Sequence, residues 1–404
     1  MDILILNNTG WGLGGGVEEY SRILADINLE LGNRIIKASL NRTRRTYEDL
    51  VLYARTEKHI VNIFDNYLEK SLSKVCLRFK IDLIHANITD AYNGYPIFKV
   101  SRKLKIPLVF TIHGWNYLCP IGWKIMLPEF KVCKKIAPHP HCAICVASLK
   151  KHESRSPIEI PLKITRIPYV SYIYRKLLQD ADCVISPSKT FTLELYRELG
   201  VKAQYIPNPV NPALLRDALE PRVESIRKDE EQIVLFIGRL VHEKGVLFLP
   251  EIARRLNPKA ELHVAGTGPL EEKLMRYRMP NMILHGLLFG EEKKNLLKRA
   301  SVVIVPSVCR EMLPYVILEA FVHRKPVVAF DVEGGQKELI EMTGSGLLAK
   351  PFDIQDFADK VNYLLQNPDE VENMTRNVHK VLLKEFTIDN YKEKLARIYN
   401  NVVS

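Results

Sequence analysis

Residues 302–330 read VVIVPSVCREMLPYVILEAFVHRKPVVAF. The stretch opens on a short β-branched run, Val302–Val305, the composition of a strand covered on both faces. A loop containing Pro306 and Pro314 follows, then an apolar stretch of helical length, Tyr315–Val322. A second β-branched run, Val327–Phe330, comes directly after Lys325-Pro326. Strand, helix and strand at this spacing form a crossover that joins parallel strands.

The same alternation extends in both directions. Ile233–Ile237, Glu261–Val264 and Met282–Leu284 read as strands, with helices expected at Val246–Leu256, Pro269–Tyr277 and Glu291–Ala300. In the first half the strands are expected at Ile3–Leu6, Ile35–Leu40, Leu83–Ala86, Leu108–Ile112 and Cys183–Ile185. Val17, Tyr20, Leu24, Ile27 and Leu31 fall at helical spacing, and Gly32 provides a stop. Two such runs predict an α/β protein of two doubly wound Rossmann-like domains. Between them, Pro207, Pro209 and Pro212 can continue neither a helix nor a central strand. The expected division is 1–208, with an insertion at 114–150, and 209–385. Helices are expected at Phe357–Leu365 and Tyr391–Val402, and the tail, 386–404, is expected to pack back toward the first domain.

The 404 residues are 47% hydrophobic and 26% charged, which excludes a disordered, collagen-like or disulfide-dense chain. No apolar run approaches the roughly 18 residues that a membrane span needs. The start lacks the basic and long apolar regions of a signal peptide, so a cytoplasmic location is expected. Lysines and arginines number 58 against 47 acids, a net charge of +11. Residues 1–208 hold 30 of the bases and 19 of the acids, so the whole excess lies in the first half. That asymmetry fits an anionic partner, or a solvated basic surface.

Four segments can contact a phosphate-bearing ligand. Gly12–Gly16 lies between a strand and a helix, where backbone N–H groups approach anions. Gly238-Arg239 through Lys244-Gly245 places two cations at the C-terminal end of a strand, which suits a diphosphate. Gly266-Thr267-Gly268-Pro269 repeats the strand, glycine turn and helix start. Glu311 and Glu319 stand eight apart, one in a loop and one on a helix. Glu319 interrupts an apolar face, and an unpaired buried carboxylate costs several kcal/mol, so a polar partner such as ribose hydroxyls is expected.

With these segments together, the sequence resembles the family 4 retaining glycosyltransferases of GT-B fold. The Glu311 to Glu319 element is similar to that family's donor motif, and Lys325-Pro326-Val327-Val328 continues it. Gly238-Arg239 with Lys244-Gly245, Gly266 to Pro269, Gly334-Gly335 with Glu338, Gly14–Gly16 and Thr111-Ile112-His113 also match. Arg324, Pro209 and Pro314 stand where many members have glycine.

The resemblance implies a cleft between two facing domains and transfer of a hexose from a UDP- or GDP-sugar to a glycan or lipid-linked acceptor. Arg239 and Lys244 would balance charge on the leaving diphosphate, and Glu319 would hold the ribose. Glu311 and His113 would contact the donor sugar. Gly15, Gly16, Gly266 and Gly268 would contribute backbone contacts to the donor. Two cations standing in for a metal imply that catalysis needs no cofactor. A nucleotide-sugar epimerase of the same fold and a dinucleotide-binding oxidoreductase are the competing readings. A clean G-x-G-x-x-G with an acidic partner is absent, which argues against the latter, and no nucleic-acid-binding motif is present.

Cys119, Cys133, Cys142 and Cys145 cluster in the insertion, with His139 and His141 beside the final pair. Their spacing allows a structural zinc site, disulfides or unlinked thiols. Cys76, Cys183 and Cys309 read as small core residues. The insertion also carries Trp115, Tyr117, Trp123, Lys124, Phe130, Lys131, Lys134 and Lys135. Lys163–Leu178 mixes bases with tyrosines and isoleucines. Both stretches suggest contact with an anionic membrane surface, peripheral at its inner face, or packing beneath the domain.

Overall fold

The computed structural model describes residues 1–7, 16–40, 50–51, 66–88, 91–149, 159–211, 214–215, 232–277 and 279–404. Two parallel sheets form two α/β domains. The first contains β1 (Asp2–Asn7), β2 (Arg34–Ser39), β3 (Leu50–Val51), β4 (Leu83–Asn87) and β5 (Leu108–Thr111). A separate antiparallel pair, β6 (Ile125–Met126) and β7 (Lys131–Val132), lies in the insertion, and β8 (Cys183–Ser186) and β9 (Gln204–Tyr205) complete the first sheet. Its order is β3-β2-β1-β4-β5-β8-β9. The second sheet comprises β10 (Gln232–Ile237), β11 (Ala260–Ala265), β12 (Met282–Gly286), β13 (Val302–Val305), β14 (Val327–Phe330) and β15 (Gly346–Ala349). Its order is β12-β11-β10-β13-β14-β15.

Central strands β4, β5, β13 and β14 are buried at every residue, as expected of sheets covered by helices on both faces. The helix Tyr315–Val322 begins and ends where the sequence predicts. Its Ile317, Leu318, Ala320 and Phe321 join the core on one face of the second sheet. Where Val246–Leu256 reads as one helix, a 3₁₀ turn at Val246–Phe248 leads into a helix at Leu249–Arg255, with Pro250 in its first turn. The expected helix Pro269–Tyr277 shortens to Glu271–Met275.

The last helix, Ile388–Val403, leaves the second domain and packs on the first. Tyr391, Leu395 and Tyr399 are buried against Ile3, Ile5, Tyr20, Leu24 and Val109. A chain of buried polar contacts ties it there. Tyr399 Oη lies 2.6 Å from His85 Nδ1, and His85 Nε2 lies 2.7 Å from Thr111 Oγ1. Tyr20 Oη is 3.1 Å from Thr111 Oγ1 and 2.5 Å from Tyr391 Oη. Burial pushes the His85 pKa down to about 3, helped by nearby His113, so the ring is neutral at pH 7. No helix among the described residues is long and apolar enough to cross a membrane.

Candidate functional site

Strand order reverses at β10 and β13, so the loops leaving their C-terminal ends diverge and leave a crevice. The sequence places its charged candidates on these two loops. The loops are stitched together: Val308 N and Cys309 N donate to Glu243 O at 3.0 and 3.4 Å. Gly245 permits the approach. Its φ is +70°, and a Cβ there would fall 1.8 Å from Pro306 O.

Lys244 and Glu311 meet in this crevice, with Nζ 2.6 Å from Oε2. Their side chains are 25% and 10% exposed. Burial disfavours the Lys244 charge, but Glu311 outweighs it and holds the pKa above the ordinary lysine value. Ser307 Oγ donates to Glu311 Oε1, so both carboxylate oxygens are engaged while keeping further lone pairs for a ligand. The Glu311 backbone is fixed as well: its N–H donates to Gln336 Oε1 at 3.0 Å, and its carbonyl accepts from Gly335 N at 2.7 Å. Ser307 and Gln336 were not among the predicted site residues, because neither belongs to a charged pattern.

Glu319 sits one turn into the Tyr315–Val322 helix, and Lys293 Nζ reaches its Oε1 at 2.6 Å. Lys293, on the helix Gly290–Arg299, is the partner that its apolar surroundings demanded. Sequence reading missed it, since Lys293 lies in a run of surface-like charges. Arg239 is 72% exposed and lies 3.3 Å from Glu243. It remains close enough for its charge to oppose protonation of Lys244. Gly266 has φ +141°, and a Cβ there would meet Gly238 O at 1.9 Å. Its N–H is already taken by Gly286 O at 2.6 Å, so Gly266 serves close backbone packing rather than offering that donor to a ligand. At Gly268 a Cβ would lie 2.5 Å from Leu240 O.

The first domain faces this crevice. Gly16 opens the first helix, and a Cβ there would come within 3.3 Å of the Tyr315 ring. Gly12 to Gly15 lie outside the described residues. His113 follows β5 and packs edge-on against Tyr20, ring centroids 4.8 Å apart. Its Nε2 is buried with no hydrogen-bond partner among the described residues. Burial lowers its pKa to about 3, which leaves a neutral ring able to donate or accept.

Cys119, Cys133, Cys142 and Cys145 are free thiols, so no disulfide joins them. Among the described residues no group of three or more His, Cys, Asp or Glu side chains is arranged to hold a metal ion. Cys145 Sγ accepts from Leu127 N at 3.3 Å and Cys133 Sγ donates to Lys135 O at 3.6 Å, and the thiols are near enough that Cys119, Cys133 and Cys142 all help to raise the Cys145 pKa, which burial chiefly pushes up. The aromatic residues are also mostly interior. Trp115, Tyr117, Trp123 and Lys124 are buried, which removes them from any lipid contact, while Lys131, Lys134 and Lys135 stay exposed. The second basic stretch is helical, within Glu159–Asp180. Tyr174 and Ile173 are buried there, and Leu162, Tyr169 and Tyr172 are exposed.

Comparison with known proteins agrees with this geometry. Residues 15–214 match the family "Glycosyltransferase Family 4", and residues 219–381 match "Glycosyl transferases group 1". An alpha-D-kanosaminyltransferase of Streptomyces kanamyceticus is 27% identical over 331 residues, which is 79% of this chain and 76% of that protein. Sucrose-phosphate synthase from Thermosynechococcus elongatus superposes with a TM-score of 0.75 at 17% identity, covering 99% of this chain and 98% of that one. Anabaena HepE, solved in complex with UDP-glucose, gives a TM-score of 0.69 at 17% identity over 99% of this chain and 100% of that one. With two domains of GT-B type and family matches along most of its length, the chain belongs to the group 1, family 4 glycosyltransferases.

Proposed function

We propose that the protein transfers a hexose from a UDP- or GDP-sugar to a glycan or lipid-linked acceptor, with retention at the anomeric carbon and without a catalytic metal. The observation that carries this reading is the Lys244–Glu311 pair at the switch point, with Glu319 on the helix that follows the Glu311 loop. The likeness to HepE, whose structure holds UDP-glucose, supports a uridine nucleotide.

Glu319 accepts the ribose hydroxyls through the oxygen that Lys293 does not occupy. Arg239 and Lys244 face the diphosphate. Lys244 is already charged and fixed, so it needs little reorganisation as the sugar–phosphate bond lengthens. Arg239 must swing from its exposed position to join it. Glu311 and His113 Nε2, which has no hydrogen-bond partner among the described residues, hold sugar hydroxyls from opposite domains, with Gly16 contributing from the first-domain side. The acceptor oxygen attacks the anomeric carbon on the face that the phosphate leaves, and its proton passes to the departing phosphate oxygen. Two cations at the diphosphate make a divalent ion unnecessary.

The exposed Leu162, Tyr169 and Tyr172, on the basic half of the chain, suit an acceptor held at an anionic membrane. Co-sedimentation with anionic vesicles at low salt, abolished by Tyr169→Ser with Tyr172→Ser, is the expected behaviour, and wild-type protein left in the supernatant contradicts it. For the reaction itself, the test is product analysis with UDP- and GDP-hexoses in excess EDTA. A new glycosidic bond of retained configuration is expected. An isomerised donor, or activity that returns only with Mg²⁺, would contradict the reading.

A further inference from the structure

Arg310 immediately precedes Glu311 but points the other way, into the first domain. Its side chain is 1% exposed. Cζ lies 3.8 Å from the centroid of the Trp115 ring, and Nη2 lies 2.9 Å from Glu194 Oε2. Nε donates to Glu333 O at 2.5 Å. The other Glu194 oxygen meets Lys124 Nζ at 2.7 Å, and Lys124 is 0% exposed. Three charges from the insertion, the helix Lys189–Leu199 and the donor loop are thus buried together where the domains meet. Among the described residues Glu194 Oε1 and Arg310 Nη2 have no well-aligned hydrogen bond, so the contacts are chiefly ionic.

Such a cluster is a costly way to hold two surfaces together, and apolar contact is also made between the insertion and the second domain, with the Phe130 and Phe352 rings 5.8 Å apart. What the charges add is a single register. The backbone shows where it is transmitted: Arg310 N donates to Trp123 O of the first domain at 3.0 Å, and the next amide, Glu311 N, donates to Gln336 Oε1 of the second. The successive amides of Arg310 and Glu311 are therefore held from opposite sides of the cleft. The Lys189–Leu199 helix is gripped a second time at its start, where Glu338 accepts from Ser188 Oγ, Lys189 N and Thr190 N.

We propose that Arg310 is a positioning residue that makes the alignment of Glu311 depend on closure of the first domain, so that the donor is activated only when the acceptor-side insertion is seated. This rests on the donor reading above. It gives Trp115, Trp123, Lys124 and Glu194 a part in the reaction although all four are buried.

The test compares wild type with Arg310→Met, Glu194→Gln and the double variant. Each is measured for UDP and GDP affinity by calorimetry, and for kcat and acceptor KM with the nucleotide-hexose that the wild type turns over fastest. Arg310→Met leaves Glu194 paired with Lys124, and Glu194→Gln changes a single atom group, so one folded variant suffices. The expected result is a kcat lowered by about 100-fold, the cost of misplacing a reacting group by about 1 Å. Nucleotide affinity should stay within a few-fold of wild type, and the double variant should be no worse than the worse single one. Arg310→Lys should fail to restore kcat, because lysine has no planar face for Trp115. A folded variant with unchanged kcat overturns the proposal alone. Wild-type protein that binds neither nucleotide overturns the donor reading beneath it.

Discussion

Lys244 and Glu311 form a salt bridge across the switch point of the second sheet, 2.6 Å from Nζ to Oε2, although 67 residues separate them. Gly245 brings the two loops close enough for it, by admitting Pro306 O where any side chain would clash. In the transferase reading, the bridge keeps Lys244 charged and in place for the diphosphate. Lys244→Ala is expected to lower kcat by about 100- to 1,000-fold, the scale seen when a preorganised charge-stabilising donor is removed. Steady-state kinetics on folded variant checks this, and an effect below about threefold would contradict it.

Gly245→Ala should be severely damaging for a different reason. The substitution places a Cβ 1.8 Å from a carbonyl oxygen at a φ of +70°. A loss of about 2 kcal/mol or more is expected from combined backbone strain and loop displacement. Urea denaturation measures it, and wild-type stability would show that the loops can separate freely.

The Ser188–Thr190 helix start is capped from the other domain. Glu338 takes two backbone N–H groups and the Ser188 hydroxyl, at 2.6 to 2.9 Å. Removing the carboxylate with Glu338→Ala should cost about 2 kcal/mol, the sum of a lost cap and its interaction with the helix start. A lowered Tm is expected, and Glu338→Gln should recover part of it, since an amide oxygen still accepts. An unchanged Tm would contradict the contact.

Acid should weaken the protein below neutrality through His85. Its pKa is about 3 when folded and about 6.5 when unfolded, so the unfolded chain binds more protons between those values. The stabilisation is complete above pH 6.5 and falls as pH drops toward 3. Between pH 7 and 5 the expected loss from His85 is about 2 kcal/mol. Denaturant titrations across this range should show the slope reduced in His85→Gln. A slope unaltered by the substitution would mean that the ring does not stay neutral between Tyr399 and Thr111.

Much of this was readable in advance where apolar pattern decides structure. Val302–Val305, Tyr315–Val322 and Val327–Phe330 carry enough periodicity to place a crossover, and the observed elements coincide with them. The two-residue strands β3 and β9 and the β6–β7 pair are too short to leave a period, and they were missed. Lys124 and the tryptophans illustrate a deeper limit. In sequence they resemble a basic, aromatic surface, because the neutralising partner, Glu194, lies 70 residues away on another element. Burial of a charge is a property of its partners, and local sequence does not report them. Arg324, which stands where many members of the resembling family have glycine, adopts a left-handed φ of +52°, a conformation that local sequence pattern does not report.

In the transferase reading, the second domain binds a nucleotide-sugar through Glu319. Calorimetric titration with UDP, GDP, ADP and NAD, repeated on Glu319→Ala, tests it most directly. Preferential binding of UDP or GDP is expected, lost or greatly weakened in the variant. Binding of NAD alone, no nucleotide binding, or an affinity indifferent to Glu319→Ala would contradict it.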